Sequence, residues 1–143
     1  MKMQDALMQD ALLHRIEGGF GRDKPLDAEI ECALPQCGQT AAVEPGLSNP
    51  GKVLRHYHGG THGLAWSNDF TSSLDSAAAL AKRLLAGWRV RVQVDGDGTC
   101  EAFVENKGDF GAIDAAATRS FASSPERALV AAVLRGWFLQ QEA

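Results

Sequence analysis

No stretch of this sequence approaches the roughly 18 consecutive apolar residues that a membrane-spanning helix requires, which predicts a protein without such a helix. Cysteine is scarce. Cys32, Cys37 and Cys100 make an odd number with no Cys-x-x-Cys among them, and a chain of 143 residues needs no covalent staples. They read as reduced thiols. Positive charge is scarce as well. Lys and Arg number 14 against 18 Asp and Glu, and the net charge of -4 argues against a broad polyanion-binding face. Near the start, Lys2 is basic, but Gln4, Asp5, Gln9 and Asp10 interrupt any apolar signal-peptide core. The expectation is a cytoplasmic protein that does not enter a membrane.

What is present is an ordinary globular balance, 45% apolar and 22% charged, in a chain sized for a single domain over residues 1–143. Four segments carry helical period. Gln4 to Glu17 places Met3, Leu7, Ala11 and His14 on one stripe, widened by Met8, Leu12 and Ile16, and Gly18-Gly19 stops it. Asp23-Lys24-Pro25 opens a short helix in which Leu26, Ile30, Ala33 and Leu34 share a face. Ser72 and Asp75 suggest a capping box for a third helix, with Leu74, Ala77, Ala81, Leu84 and Trp88 at helical spacing. Ser124-Pro125-Glu126 starts the last helix, whose wide face is Leu129, Val130, Val133, Leu134, Trp137 and Phe138.

Between the third and fourth helices the period changes to two. Val90, Val92 and Val94 alternate with Arg89, Arg91 and Gln93; after Asp95-Gly96-Asp97-Gly98, Cys100, Ala102 and Val104 alternate with Glu101, Phe103 and Glu105. This predicts an antiparallel hairpin with one buried face. An even turn would set Val92 against Glu101 and mix the faces. A three-residue loop, Gly96 to Gly98, sets Val94 against Cys100, Val92 against Ala102 and Val90 against Val104, so the odd loop is expected. A third strand is expected within Ala115 to Ala122, with Arg119 and Phe121 pointing one way and Ser120 the other. From 36 to 68 the periodicity fades into glycine, proline, serine and histidine, and the region reads as irregular, with Lys52 to Tyr57 its best candidate strand. The fold class expected is α+β: an antiparallel three- to four-stranded sheet covered by helices in a layered sandwich.

Phe70-Thr71-Ser72-Ser73-Leu74-Asp75-Ser76-Ala77, followed by Gly87-Trp88-Arg89-Val90, resembles a family of small bacteriophage and prophage proteins with an α/β/α sandwich domain. Leu26-Asp27-Ala28-Glu29-Ile30 after a first helix, and the closing Pro125 to Arg135 segment, are similar to the same family. The resemblance covers about three quarters of the chain. It implies phage origin and a layered sandwich, with Phe70 anchoring the helix entry and Leu74 as a core contact. It brings no catalytic residues, because the family's function is uncharacterised.

Candidate chemistry concentrates in His56-Tyr57-His58-Gly59-Gly60-Thr61-His62. Two histidines two apart on a strand share a face, and a glycine turn can return His62. Zinc, the metal such a set would take, wants about four ligands; Cys37, Cys32 or Asp69 are the residues to complete it. Otherwise the segment is a polar loop facing water, and no cofactor is expected. Asp95-Gly96-Asp97-Gly98 is not a calcium loop, since aligning Gly98 with the invariant glycine puts Gln93 and Val104 at ligand positions. The glycine-rich Gly18-Gly19-Phe20-Gly21 and Gly59-Gly60-Thr61 lack the Lys-Ser/Thr of a phosphate loop.

These features predict a non-enzymatic phage or prophage accessory protein that acts by protein contact, including contact with itself. Trp66, Arg89 and Arg91 are the candidate interaction residues, with Trp137 and Phe138 either further contacts or core anchors. The alternatives are a small enzyme or metal site at the histidines, and a nucleic-acid module. The latter follows from the helix–strand–strand–strand–helix order after Ser73, which double-stranded-RNA-binding domains share.

Overall fold

The structure, a computed structural model, describes residues 3–36, 38–46, 48–106 and 118–142. In chain order the elements are α1 (Met3–Gly18), α2 (Lys24–Ala33), β1 (Thr40–Pro45), β2 (Lys52–Tyr57), β3 (His62–Trp66), α3 (Leu74–Leu84), β4 (Arg89–Val94), β5 (Cys100–Glu105), β6 (Ser120–Ala122) and α4 (Pro125–Glu142). The fold is α+β, with two antiparallel three-stranded sheets flanked by helices. The sheet orders are β1-β2-β3 and β4-β5-β6.

The hairpin has the odd loop. Val94 faces Cys100, Val92 faces Ala102, Val90 faces Val104, and on the other side Arg89 faces Glu105 and Gln93 faces Glu101. Asp95 N–H donates to Thr99 O at 2.9 Å and Gly98 N–H to Asp95 O at 3.0 Å; Gly98 has φ 91°, the left-handed conformation the bulge needs. β6 joins β5 through Ser120 opposite Ala102, with Ser120 buried and Phe121 exposed, as alternation predicts. Residues 115–117 of the expected third strand lie outside the described residues.

α4 lies over this sheet and is buried through Arg127–Leu134. Its close approach to β5 depends on Gly136: a Cβ there would stand 2.8 Å from Val104 Cγ2 and 3.1 Å from Leu85 Cδ1. Ser124 Oγ accepts from Arg127 N–H at 3.3 Å, so the expected cap is in place. The cap of α3 is one residue later than the sequence suggested. Ser73, not Ser72, accepts from Ser76 N–H at 3.2 Å. That shift turns Leu74 outward, 45% exposed, whereas Phe70 is buried.

α1 also differs from expectation. Leu13 and Ile16 are its buried residues, while Leu7, Ala11 and His14 are exposed. The cause is a tertiary contact at its C-terminal end. Arg127, fully buried, donates from Nε and Nη2 to Gly21 O (3.0 and 2.8 Å) and from Nη1 to Arg15 O and Ile16 O (3.2 and 3.0 Å). The guanidinium thereby satisfies carbonyls that the end of a helix leaves without partners and meets the negative end of its dipole.

The segment expected to be irregular, 36–68, holds the β1-β2-β3 meander, with Lys52–Tyr57 as its central strand. α2 packs on one face of it. There Val53 is fully buried, and Arg55 donates from Nη2 to Glu31 Oε1 at 2.8 Å. The inner face is thus filled partly by an ion pair instead of aliphatic side chains.

Candidate interaction surface

The outer face of β1–β3 follows from the register. Lys52 stands opposite Trp66, Leu54 between Glu44 and Leu64, and His56 between Ala42 and His62. Alternation sends all of these side chains away from α2. Trp66 is 57% exposed and Leu64 49%. The Trp66 ring does not stand free. A Cβ at Gly51 would come within 2.9 Å of its Cζ3, and Lys52 Nζ sits 4.8 Å from its centroid. Leu64 rests in the same manner against Gly46, where a Cβ would meet its Cδ1 at 3.1 Å. Gly51 and Gly46 thus leave the room that these two large apolar side chains occupy on the sheet face.

The histidines are placed unevenly. His56 and His62 are cross-strand partners with ring centroids 5.9 Å apart, and His56 Nε2 lies 2.6 Å from Glu44 Oε2. His58 is in the exposed turn after β2, Cys32 sits on α2, and Asp69 bonds Lys24 Nζ at 2.9 Å. Cys37 lies outside the described residues. Among the described residues no group of three His, Cys, Asp or Glu is placed to hold a metal ion. Burial, then the nearby Glu31 and Glu29, raises the Cys32 thiol pKa, which opposes thiolate formation.

Arg89 and Arg91 are exposed on the outer face of the second sheet, but each has a partner there. Arg89 is 3.8 Å from Glu105. Arg91 and Arg119 flank the Phe103 ring at 5.7 and 5.6 Å, and Arg119 pairs with Glu101 at 2.7 Å. Of the later aromatics, Phe138 is buried and Trp137 half-buried. Trp137 also lines a concave site of about 740 Å³ among α1, α2 and α4, together with Met8, Leu12, Ala28, Cys32 and Pro50.

The α3-β4-β5-β6-α4 order matches the nucleic-acid analogy in topology. Its chemistry is different: the β4–β5 turn carries Asp95 and Asp97, and α4 opens with Glu126 before an Arg127 that is buried against α1.

Sequence reasoning missed a polar cluster inside the fold. Asp27 and Glu31, four apart on α2, are both buried. Asp27 Oδ1 accepts from Thr71 N–H at 2.8 Å; Glu31 Oε1 accepts from Arg55 and from Asn68, each at 2.8 Å. Lys24 Nζ bonds Ser67 O at 2.6 Å and lies 3.6 Å from Asp27 Oδ2. Burial raises the Asp27 pKa, against the opposing pull of the Thr71 hydrogen bonds and Lys24. The i, i+4 spacing was the available signal, masked because early helical acids usually serve the dipole. The cluster ties α2 to β2 and to the 67–71 turn.

No protein-family model matches this chain, nor does any curated protein or solved structure. Among the described residues no helix is long and apolar enough to cross a membrane.

Proposed function

We propose that this protein is a phage- or prophage-derived accessory protein that works by protein–protein contact, with the outer face of β1–β3 as its contact surface. The observation that carries the reading is the pair Leu64 and Trp66, exposed on one sheet face and packed over Gly46 and Gly51, with Lys52 Nζ against the Trp66 ring. A pre-positioned tryptophan loses little entropy on binding and offers a large apolar area, the properties of an interface anchor. The phage setting rests on the sequence resemblance. An enzyme using His56 is disfavoured because His56 bonds Glu44 on an open sheet face, where water is not excluded. Nucleic acid is disfavoured by the acids at the β4–β5 turn and at the start of α4.

Co-expression of the tagged chain with the products of adjacent genes tests the reading. The expected result is a co-purifying protein that is lost with the Leu64→Ser/Trp66→Ser pair and retained with Leu74→Ser, an exposed residue elsewhere. Equal recovery with the parent and the double variant contradicts it.

A further inference from the structure

The valines of β4 face the same side of the sheet as Cys100, Ala102 and Val104, but their exposure is very different. The β5 residues are at most 3% exposed, whereas Val90 and Val92 are 37% and Val94 is 59%. β4 is an edge strand, exposed over its full length. The apolar face of the sheet thus continues past the cover that α4 gives it. An edge of this kind is a template for a further strand.

The backbone pattern says which groups are offered. Asp95 N–H donates to Thr99 O across the hairpin, so alternation turns the N–H and C=O of Gln93, Arg91 and Arg89 toward β5. Those of Val90, Val92 and Val94 point to the open edge. Among the described residues no strand pairs with that edge, and the residues that offer it backbone groups are the same ones with exposed apolar side chains.

We infer that β4 pairs antiparallel with β4 of a second copy of this chain, with Val92 opposite Val92 about a two-fold axis. This register sets Val90 against Val94 of the other copy and Arg91 against Gln93, and it sets Arg89 against Asp95. Every valine meets a valine, and the outer face places a cation against an anion. Sliding the pair so that Arg91 meets Arg91 puts like charges in direct opposition. Sliding it the other way sets Val90 against Gly96 and loses a valine contact. The result is a six-stranded sheet with the helices of both copies on one side, closed by an isologous interface. This pairing does not depend on the reading of the β1–β3 face.

Sedimentation velocity of the full chain under reducing conditions, from micromolar to millimolar, is the test. A concentration-dependent dimer is expected. Arg89→Asp and Asp95→Arg should each weaken it by tenfold or more, and the two together should recover most of the loss. Both positions are exposed, and a thermal melt of each variant checks that it folds. Oxidation gives the register independently: Val92→Cys should link to itself, as the Cα spacing of a hydrogen-bonded antiparallel pair allows. Val90→Cys alone should not link, and mixed with Val94→Cys it should. A chain monomeric across the range, or a dimer indifferent to both single charge changes, overturns the inference; Val90→Cys linking to itself overturns the register.

Discussion

Arg127 Nη2 donates to the carbonyl oxygen of Gly21 at 2.8 Å, joining residues far apart in sequence at the point where α1 ends and α4 begins. The same guanidinium reaches Arg15 O and Ile16 O, and Gly19 leaves room for it: a Cβ at Gly19 would sit 2.6 Å from Nη1. The face that α1 buries is set by this anchor.

Arg127→Met is therefore expected to destabilise the protein by about 3 kcal/mol, since it leaves carbonyls at the helix end without donors. Gly19→Ala should cost roughly 1–3 kcal/mol through the displaced guanidinium. Urea denaturation measures both. In hydrogen exchange, Arg127→Met should release α1 amides before those of β5; uniform loss of protection would contradict the anchoring role.

Helix propensity favours Ala over Gly by about 1 kcal/mol, yet Gly136→Ala is expected to destabilise. The new methyl would meet Val104 Cγ2, and Val104 is fully buried with a stiff side chain that cannot swing clear. A double-mutant cycle with Val104→Ala should show coupling of about 1 kcal/mol or more. Simple additivity would mean that α4 shifts to accommodate the methyl.

Burial raises the pKa of Asp27 in the folded protein, so the protonated acid is favoured there relative to the unfolded chain. The stability this contributes is complete below the unfolded pKa of about 3.8 and is lost as pH rises through the higher folded value. Asp69 behaves oppositely. Lys24 lowers its pKa, and its contribution is present above about 3.8 and lost as pH falls through the folded value. Comparing urea midpoints with Asp27→Asn, the variant should gain on the parent as pH rises from 3 to 7. A flat difference would remove burial as the dominant influence on Asp27.

The hairpin was legible because its two-residue period and its glycine turn agree, and only one register keeps Val90, Val92 and Val94 on the face of Cys100, Ala102 and Val104. The buried face of α1 was not. Leu7, Met8, Ala11, Leu12, Leu13 and Ile16 surround most of that helix, so periodicity cannot choose among them and Arg127 does. The β1–β3 meander was hidden for a different reason. Only its central strand, Lys52–Tyr57, was legible; β1 and β3 interrupt their apolar residues with Ala, Gly and Pro, and Arg55 paired with Glu31 stands where an aliphatic pattern would have announced a strand. Of the candidate site, Trp66 and the His56–His62 pair were visible by residue type. Glu44 and the two glycines that leave room for Leu64 and Trp66 become meaningful only with the strand register in hand.

If Trp66 anchors a partner, Trp66→Ala should weaken the complex by about 2 kcal/mol, roughly 30-fold in Kd, with a smaller effect on stability because more than half of the residue is exposed. Calorimetric titration and a thermal melt separate the two effects. An equal loss in both would assign the residue to folding.

The central claim is that the Trp66 face makes the contact. Fluorine NMR of protein labelled with 5-fluorotryptophan reports Trp66, Trp88 and Trp137 separately, with Trp66→Phe supplying the assignment. On adding the co-purified partner, the Trp66 resonance should shift and lose its solvent isotope effect while those of Trp88 and Trp137 hold. A formed complex that leaves the Trp66 resonance unmoved contradicts the account.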